Sequence, residues 1–198
     1  MISKKRKKQI EQMAKDKLDK NNIIDPKFDL IKHLTEKEGF KIILQNMEND
    51  TTGLVLIRPK DNTDLKKICK LIAVNRKLKN QPNFQQRLRF IVAHEYGHSL
   101  IHYNGKTLFA HRSTSKKWKR NEKEADFFAR CLLMPREQME KILFEQLLLV
   151  DDKDYIIKHI SQTFNVTEKK AKQRIKEINK SLTPIQKILK IKEITENV

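Results

Sequence analysis

Apolar positions in the first twenty residues recur every three or four steps: Ile10, Met13, Ala14 and Leu18, with the stem of Lys17 beside them, form one stripe. That spacing predicts an amphipathic helix over residues 5–20. Asp25-Pro26 has the form of an N-cap followed by a first-turn proline, opening a short helix through Phe28, Leu30, Ile31 and Leu34 that ends at Gly39. The pattern then changes period. Three β-prone runs, FKIILQN (40–46), TGLVLIRP (52–59) and KICKLIAVN (67–75), are separated by polar turns of hairpin-like length, which predicts a small three-stranded antiparallel meander.

From Phe84 onward the pattern is helical again. One helix is predicted over 84–103, stopping before Asn104-Gly105, and a second over 121–134. Pro135 closes the second and can start a third over 136–149. The stretch between the first two, 106–120, is basic and without period, and reads as a loop. Beyond Asp151-Asp152, Ile156, Ile157, Ile160 and Phe164 make one apolar stripe and Ala171, Ile175, Ile178 and Leu182 another, with Thr183-Pro184 capping a last helix. The expected architecture is α+β and mostly helical, with a main domain over residues 1–150 and a C-terminal helical segment over 151–198.

Composition narrows the class. A chain of 198 residues supports one full-sized core with a small appended unit. No apolar run approaches the roughly 20 residues of a membrane span, and the segment after SKKRKK is charged, unlike a signal peptide. Cys69 and Cys131 show no pairing motif, so we expect a soluble protein of a reducing cytoplasm. The net charge of +18 invites a polyanion, but it is dispersed: residues 1–20 hold eight Lys/Arg against three acids, and residues 151–198 eleven against seven. A solvated basic surface accounts for that spread as well as a binding stripe does.

Candidate chemistry sits in RLRFIVAHEYGHSLIH, residues 87–102. On a helix, His94 and His98 lie about 40° apart around the axis and one turn apart along it, so both imidazoles can meet one borderline cation such as Zn²⁺. Glu95 is about 100° further round, beside the ion rather than on it, where a general base belongs. A third protein ligand is needed. His102 repeats the spacing but lies about 12 Å along the axis from His94, and no glycine turn intervenes to bring it back. It is expected to be structural or to support a ligand.

The better third ligand is in NEKEADFFARCLLMP, residues 121–135. Glu122 and Glu124 lie about 200° apart on a helix, so only one can face the metal. The Glu122 side carries Asp126, Ala125, Ala129 and Leu133, a face on which small residues admit a neighbouring helix. Glu124 shares its side with Phe128 and Cys131 and lacks a partner carboxylate. Glu122 is therefore the expected ligand, and Asp126 the residue that orients a ligating histidine through its free N–H.

HEYGHSLIH followed by ExxADFFARCLLMP resembles the ImmA/IrrE family of zinc-dependent peptidases, and NIIDPKFDLIKHLTEKEGFKIIL, TGLVLI and LIAVNRKL are similar to that family's entry helix and small sheet. The resemblance covers roughly residues 20–140 and departs mildly at Tyr96, where leucine is common. It implies a zincin-like core and a cytoplasmic metallopeptidase that clips a transcriptional repressor of a mobile element or stress regulon. It also implies ligand roles for His94, His98 and Glu122 and the general-base role for Glu95. Mn²⁺ or another divalent ion suits the same donors. Tyr96, Tyr103 and His111 are all candidates for a second oxyanion donor.

Two other readings compete. Residues 155–180 have a helix-turn-helix outline whose second helix is expected to expose Lys169, Lys170, Lys172, Arg174 and Lys176, as a DNA-binding regulator would require. A zinc-bearing adaptor that holds a repressor without cutting it would use the same ligand set. In the peptidase reading the basic stretch 106–120, with Trp118, joins the two ligand helices and could border the cleft; an ordinary surface loop is the other reading of it.

Overall fold

The computed structural model describes residues 2–48, 51–58, 69–104, 108–110, 116–149 and 152–179. Helix α1 (Lys4–Lys20) is capped by Ser3 and buries Ile10, Ala14 and Leu18, the stripe predicted for it. Helix α2 (Leu30–Glu36) begins later than expected. Asp25 accepts from the Lys27 N–H in a separate turn, and Asp29 is the residue that caps the helix, through the Lys32 N–H. Strands β1 (Lys41–Gln45), β2 (Gly53–Arg58) and β3 (Cys69–Asn75) occupy the three β-prone runs.

Their pairing corrects the expected meander. The sheet is mixed, in the order β1-β3-β2-β4, with β3 inserted between the first two strands. β1 runs parallel to β3, from Lys41 opposite Leu71 to Gln45 opposite Asn75, while β2 is antiparallel to β3, with Val55 opposite Ile72. The physical reason is burial. Ile72, Ala73 and Val74 are all inaccessible, so β3 suits the centre, whereas β1 is partly exposed along its length and suits an edge. Asn75 secures the crossover: its side-chain amide donates to Thr51 O at 2.8 Å and its backbone N–H to Thr52 O at 3.0 Å.

A fourth strand, β4 (Leu108–Ala110), pairs antiparallel with β2 and comes from the stretch expected to be a loop. The same stretch starts helix α4 (Lys116–Leu133) five residues ahead of the predicted position. Of the remainder, 105–107 and 111–115 lie outside the described residues, as does the helix predicted after Thr183.

Helix α3 (Phe84–Ile101) lies against β2 and β3 on one side and α4 on the other. From Arg89 to Ser99 it is therefore buried nearly all round, with Val92, Ala93, Tyr96 and His98 each at most 2% exposed. Helix α1 covers the far side of α4. Gly97 sets the approach of α3 to α4. A Cβ there would stand 2.9 Å from Phe128 Cδ1 and 3.3 Å from the Ala125 carbonyl oxygen.

Helices α5 (Arg136–Leu149), α6 (Lys153–Thr163) and α7 (Glu168–Asn179) complete the described chain, and Ile156, Ile160, Phe164, Val166, Ala171 and Ile178 join the same hydrophobic cluster as the sheet and α3. Here a second expectation changes. Arg174 is not on an exposed basic face but fully buried. Its guanidinium donates to Glu11 of α1 at 2.5 Å and to Met134 O at 3.0 Å, and it lies 3.8 Å from Glu177. Lys170 is also engaged, 2.8 Å from Asp126 and over the Phe90 ring. Only Lys169, Lys172 and Lys176 of the five cations are exposed.

Breaking a buried ion pair from one side leaves an uncompensated charge, at a cost of about 3–5 kcal/mol. We therefore expect Arg174→Ala to lower the unfolding free energy by about 3 kcal/mol in urea titration, whereas a solvated DNA-reading arginine would cost under about 0.5 kcal/mol.

Candidate metal centre

Two imidazoles and one carboxylate converge where α3 faces α4. His94 Nε2 and His98 Nε2 are 3.1 Å apart, one helical turn separating their residues. Glu122 of α4 closes the set, with Oε1 3.0 Å from His98 Nε2 and Oε2 3.4 Å from His94 Nε2. One ligand atom from each of the three lies within 4.8 Å of the others. Two imidazole nitrogens and a carboxylate, partly or fully withdrawn from water, are a donor set that suits Zn²⁺. The backbone dictates the convergence: an i, i+4 pair on α3 aims both rings one way, and the Gly97–Ala125 contact lets α4 come near enough for a glutamate to span the gap.

Electrostatics bind the three together. Burial alone would raise the Glu122 carboxyl, but hydrogen bonds from His94 and His98 outweigh it and hold the group far below the usual carboxylate range. Burial likewise opposes the charged form of His94, yet Glu122, Glu95 and Asp126 together lift it above its ordinary value. His98 moves the other way, driven down by burial. It stays neutral and available to a cation.

Glu95 stands beside the triad, not in it, with 5% of its surface exposed. Burial raises its carboxyl to about 7; the His94 charge opposes that shift and Glu122 adds to it. One face of Glu95 rests on the sheet at Gly53, where a Cβ would meet Glu95 Oε1 at 2.9 Å and Ile91 Cγ2 at 2.6 Å. The absent side chain at Gly53 is what lets this carboxyl lie against β2. Gly53 was not among the residues singled out from the sequence, although an isolated glycine at a strand start is a sign of close approach.

The surroundings sort the remaining candidates. His102 is not in the triad; its Nδ1 is 3.0 Å from His98 Nδ1, which leaves the Nε2 of His98 for Glu122 and an ion. On its other side His102 Nε2 is 3.6 Å from Glu124. Glu124 lies away from the centre, buried and held by Arg6 of α1 at 2.8 Å and Arg120 at 2.9 Å. Asp126 Oδ1 is 3.9 Å from His94 Nδ1, beyond hydrogen-bond length, and its bonds go to Arg130 and Lys170. Of the oxyanion candidates, the Tyr96 hydroxyl donates to Glu38 at 3.0 Å in the core and Tyr103 packs on the hydrophobic cluster. His111 lies outside the described residues.

A cleft of about 870 Å³ opens over the triad. His94, Glu95 and Glu122 form part of its lining, and residues of α6 and α7 from Lys158 to Lys170 form another part. Nothing in the sequence indicated that the C-terminal helices would wall this site.

If the helix-face geometry holds the ion, elemental analysis should find about one zinc per chain, falling close to zero in Glu122→Ala and staying near one in Glu124→Ala. Equal loss from both variants would mean that α4 does not present Glu122 as the third donor.

Residues 36–176 match the model of the Peptidase_M78 family, described as the IrrE N-terminal-like domain. No curated protein matches the chain.

Proposed function

The chain belongs to this family of metallopeptidase type, and we propose that it is a zinc-dependent endopeptidase whose protein substrate is a transcriptional repressor. The observation that carries the proposal is the convergence of His94, His98 and Glu122 with a buried carboxyl, Glu95, at their side. In this reading the three side chains would hold Zn²⁺, or Mn²⁺ in its place, and the ion would supply Lewis acidity to the scissile carbonyl and to water near neutral pH.

The chain's own residues do the proton work. Glu95 takes a proton from the attacking water as its oxygen bonds to the carbonyl carbon, then delivers it to the amide nitrogen as the C–N bond breaks. A carboxyl whose pKa lies at about 7 through burial is suited to both halves of that task, since it neither holds nor releases the proton too tightly. Gly53 keeps Glu95 against β2, and His102 orients His98 through its Nδ1.

The DNA-binding alternative loses its main support with the internal engagement of Arg174 and Lys170. No described helix is long and apolar enough to cross a membrane.

Glu95→Gln should retain the metal and lose cleavage of the cognate repressor by a factor of about 10²–10⁴. Cleavage at the wild-type rate would remove Glu95 from the mechanism. Repressor binding without cleavage by either form would support the adaptor reading instead.

A further inference from the structure

Most buried cations in this protein have acidic partners: Arg130 with Asp126 and Glu177, and Arg174 with Glu11. The lining of the cleft is different. Arg87 of α3, Lys123 of α4, Lys158 of α6 and Lys169 of α7 all contribute to it, all four are exposed, and among the described residues none has a carboxylate within ion-pair distance. Arg87 is tethered only to neutral oxygens, the Pro82 carbonyl and Gln81 Oε1, each at 3.1 Å. Among the described residues, a single acid, Glu168, lines the cleft beside them. The other carboxylates among the described residues of the cleft are Glu95 and Glu122, at the candidate centre, and Asp126, which is held by Arg130 and Lys170.

Resting on the peptidase reading, we propose that this cleft selects an acidic segment of polypeptide, the side chains of Asp or Glu near the scissile bond being received by Arg87, Lys123, Lys158 and Lys169. The division of charge favours a peptide over a nucleic acid. An extended peptide has a neutral backbone to lay over the carboxylates of the floor, and it can place its acidic side chains outward, at the cationic rim. A nucleic acid has no neutral stretch of backbone, so its phosphates would cross Glu95, Glu122 and Glu168 as well. Complementary charge in a cleft chiefly sets which partner enters and how fast. Four separate helices contribute the cations, so the preference belongs to the assembled cleft and not to one lysine run.

The test uses the full-length, zinc-loaded Glu95→Gln protein, so that binding is read without hydrolysis. Fluorescence anisotropy compares a short capped peptide of alternating Glu and Ala with its Lys/Ala counterpart in about 50 mM salt, where exposed charges are weakly screened. The Glu peptide should bind about tenfold tighter than the Lys peptide. The triple replacement Arg87→Glu, Lys158→Glu, Lys169→Glu should abolish or reverse that preference. A control carrying the same charge change on α1 (Lys4→Glu, Lys5→Glu, Lys8→Glu) should alter it less than about twofold. All six positions are exposed, and zinc content and the far-ultraviolet spectrum verify that both variants are folded.

Equal losses in the two triple variants would overturn the proposal in favour of unspecific attraction by net charge, and equal affinity for the two peptides would overturn it outright. A DNA duplex that binds tighter than the Glu peptide and depends on the same three cleft residues would overturn the choice of occupant. The outcomes separate this proposal from the one beneath it. Failure of the Glu95-bearing protein to hydrolyse any substrate, with the acidic preference intact, counts against the peptidase. Hydrolysis without the preference counts against this inference alone.

Discussion

The closeness of α3 and α4 at Gly97 is the constraint on which the rest depends. Glutamate reaches only a few ångströms from its backbone, and the gap between Glu122 and the two imidazoles is closed because no Cβ separates Gly97 from Phe128 and Ala125. Glycine inside a helix costs about 1 kcal/mol relative to alanine. That cost is offset by packing: Phe128 and Ala125 are fully buried against α3, and a buried aromatic contributes about 2–3 kcal/mol. The local penalty in α3 is thus balanced by its contact with α4, and the same contact brings His94, His98 and Glu122 together.

Charge is organised by the same geometry. Glu11 of α1 meets Arg174 of α7, Arg174 lies near Glu177, and Glu177 meets Arg130 of α4, which bonds Asp126, which in turn bonds Lys170. The path begins on the first helix, crosses to the last described one and ends next to His94. Such networks add little net stability over well-packed apolar groups, because each ion is desolvated. Here the Lys170–Asp126 pair joins α7 to α4 beside the cleft, and Lys169, the residue before Lys170, is part of the cleft lining.

The convergence of His94, His98 and Glu122 was legible from local pattern. Two histidines at i, i+4 with an adjoining acid can be read without knowing the fold, and Glu122 could be told from Glu124 by the company each keeps around a helix. Helical period likewise located α1, α3, α6 and α7, Pro135 marked the start of α5, and β-prone runs located the three main strands. Strand order was not legible, since the β-prone runs carry no mark of their neighbours and β3 is central only through burial on both faces. β4 has three residues, too few for a period to emerge, and the first turn of α4 is rich in cations that read as loop. Arg174 was misjudged for another reason. Its partner Glu11 is 163 residues away, and nothing next to an arginine in the chain tells a buried one from a solvated one.

The account turns on whether one divalent ion joins α3 to α4, and diffraction from zinc-soaked crystals at the zinc absorption edge tests that most directly. It should show one anomalous peak about 2.0–2.2 Å from His94 Nε2, His98 Nε2 and a carboxylate oxygen of Glu122. A peak held elsewhere, or a map without one while Glu122 stays bonded to the two imidazoles, would contradict it.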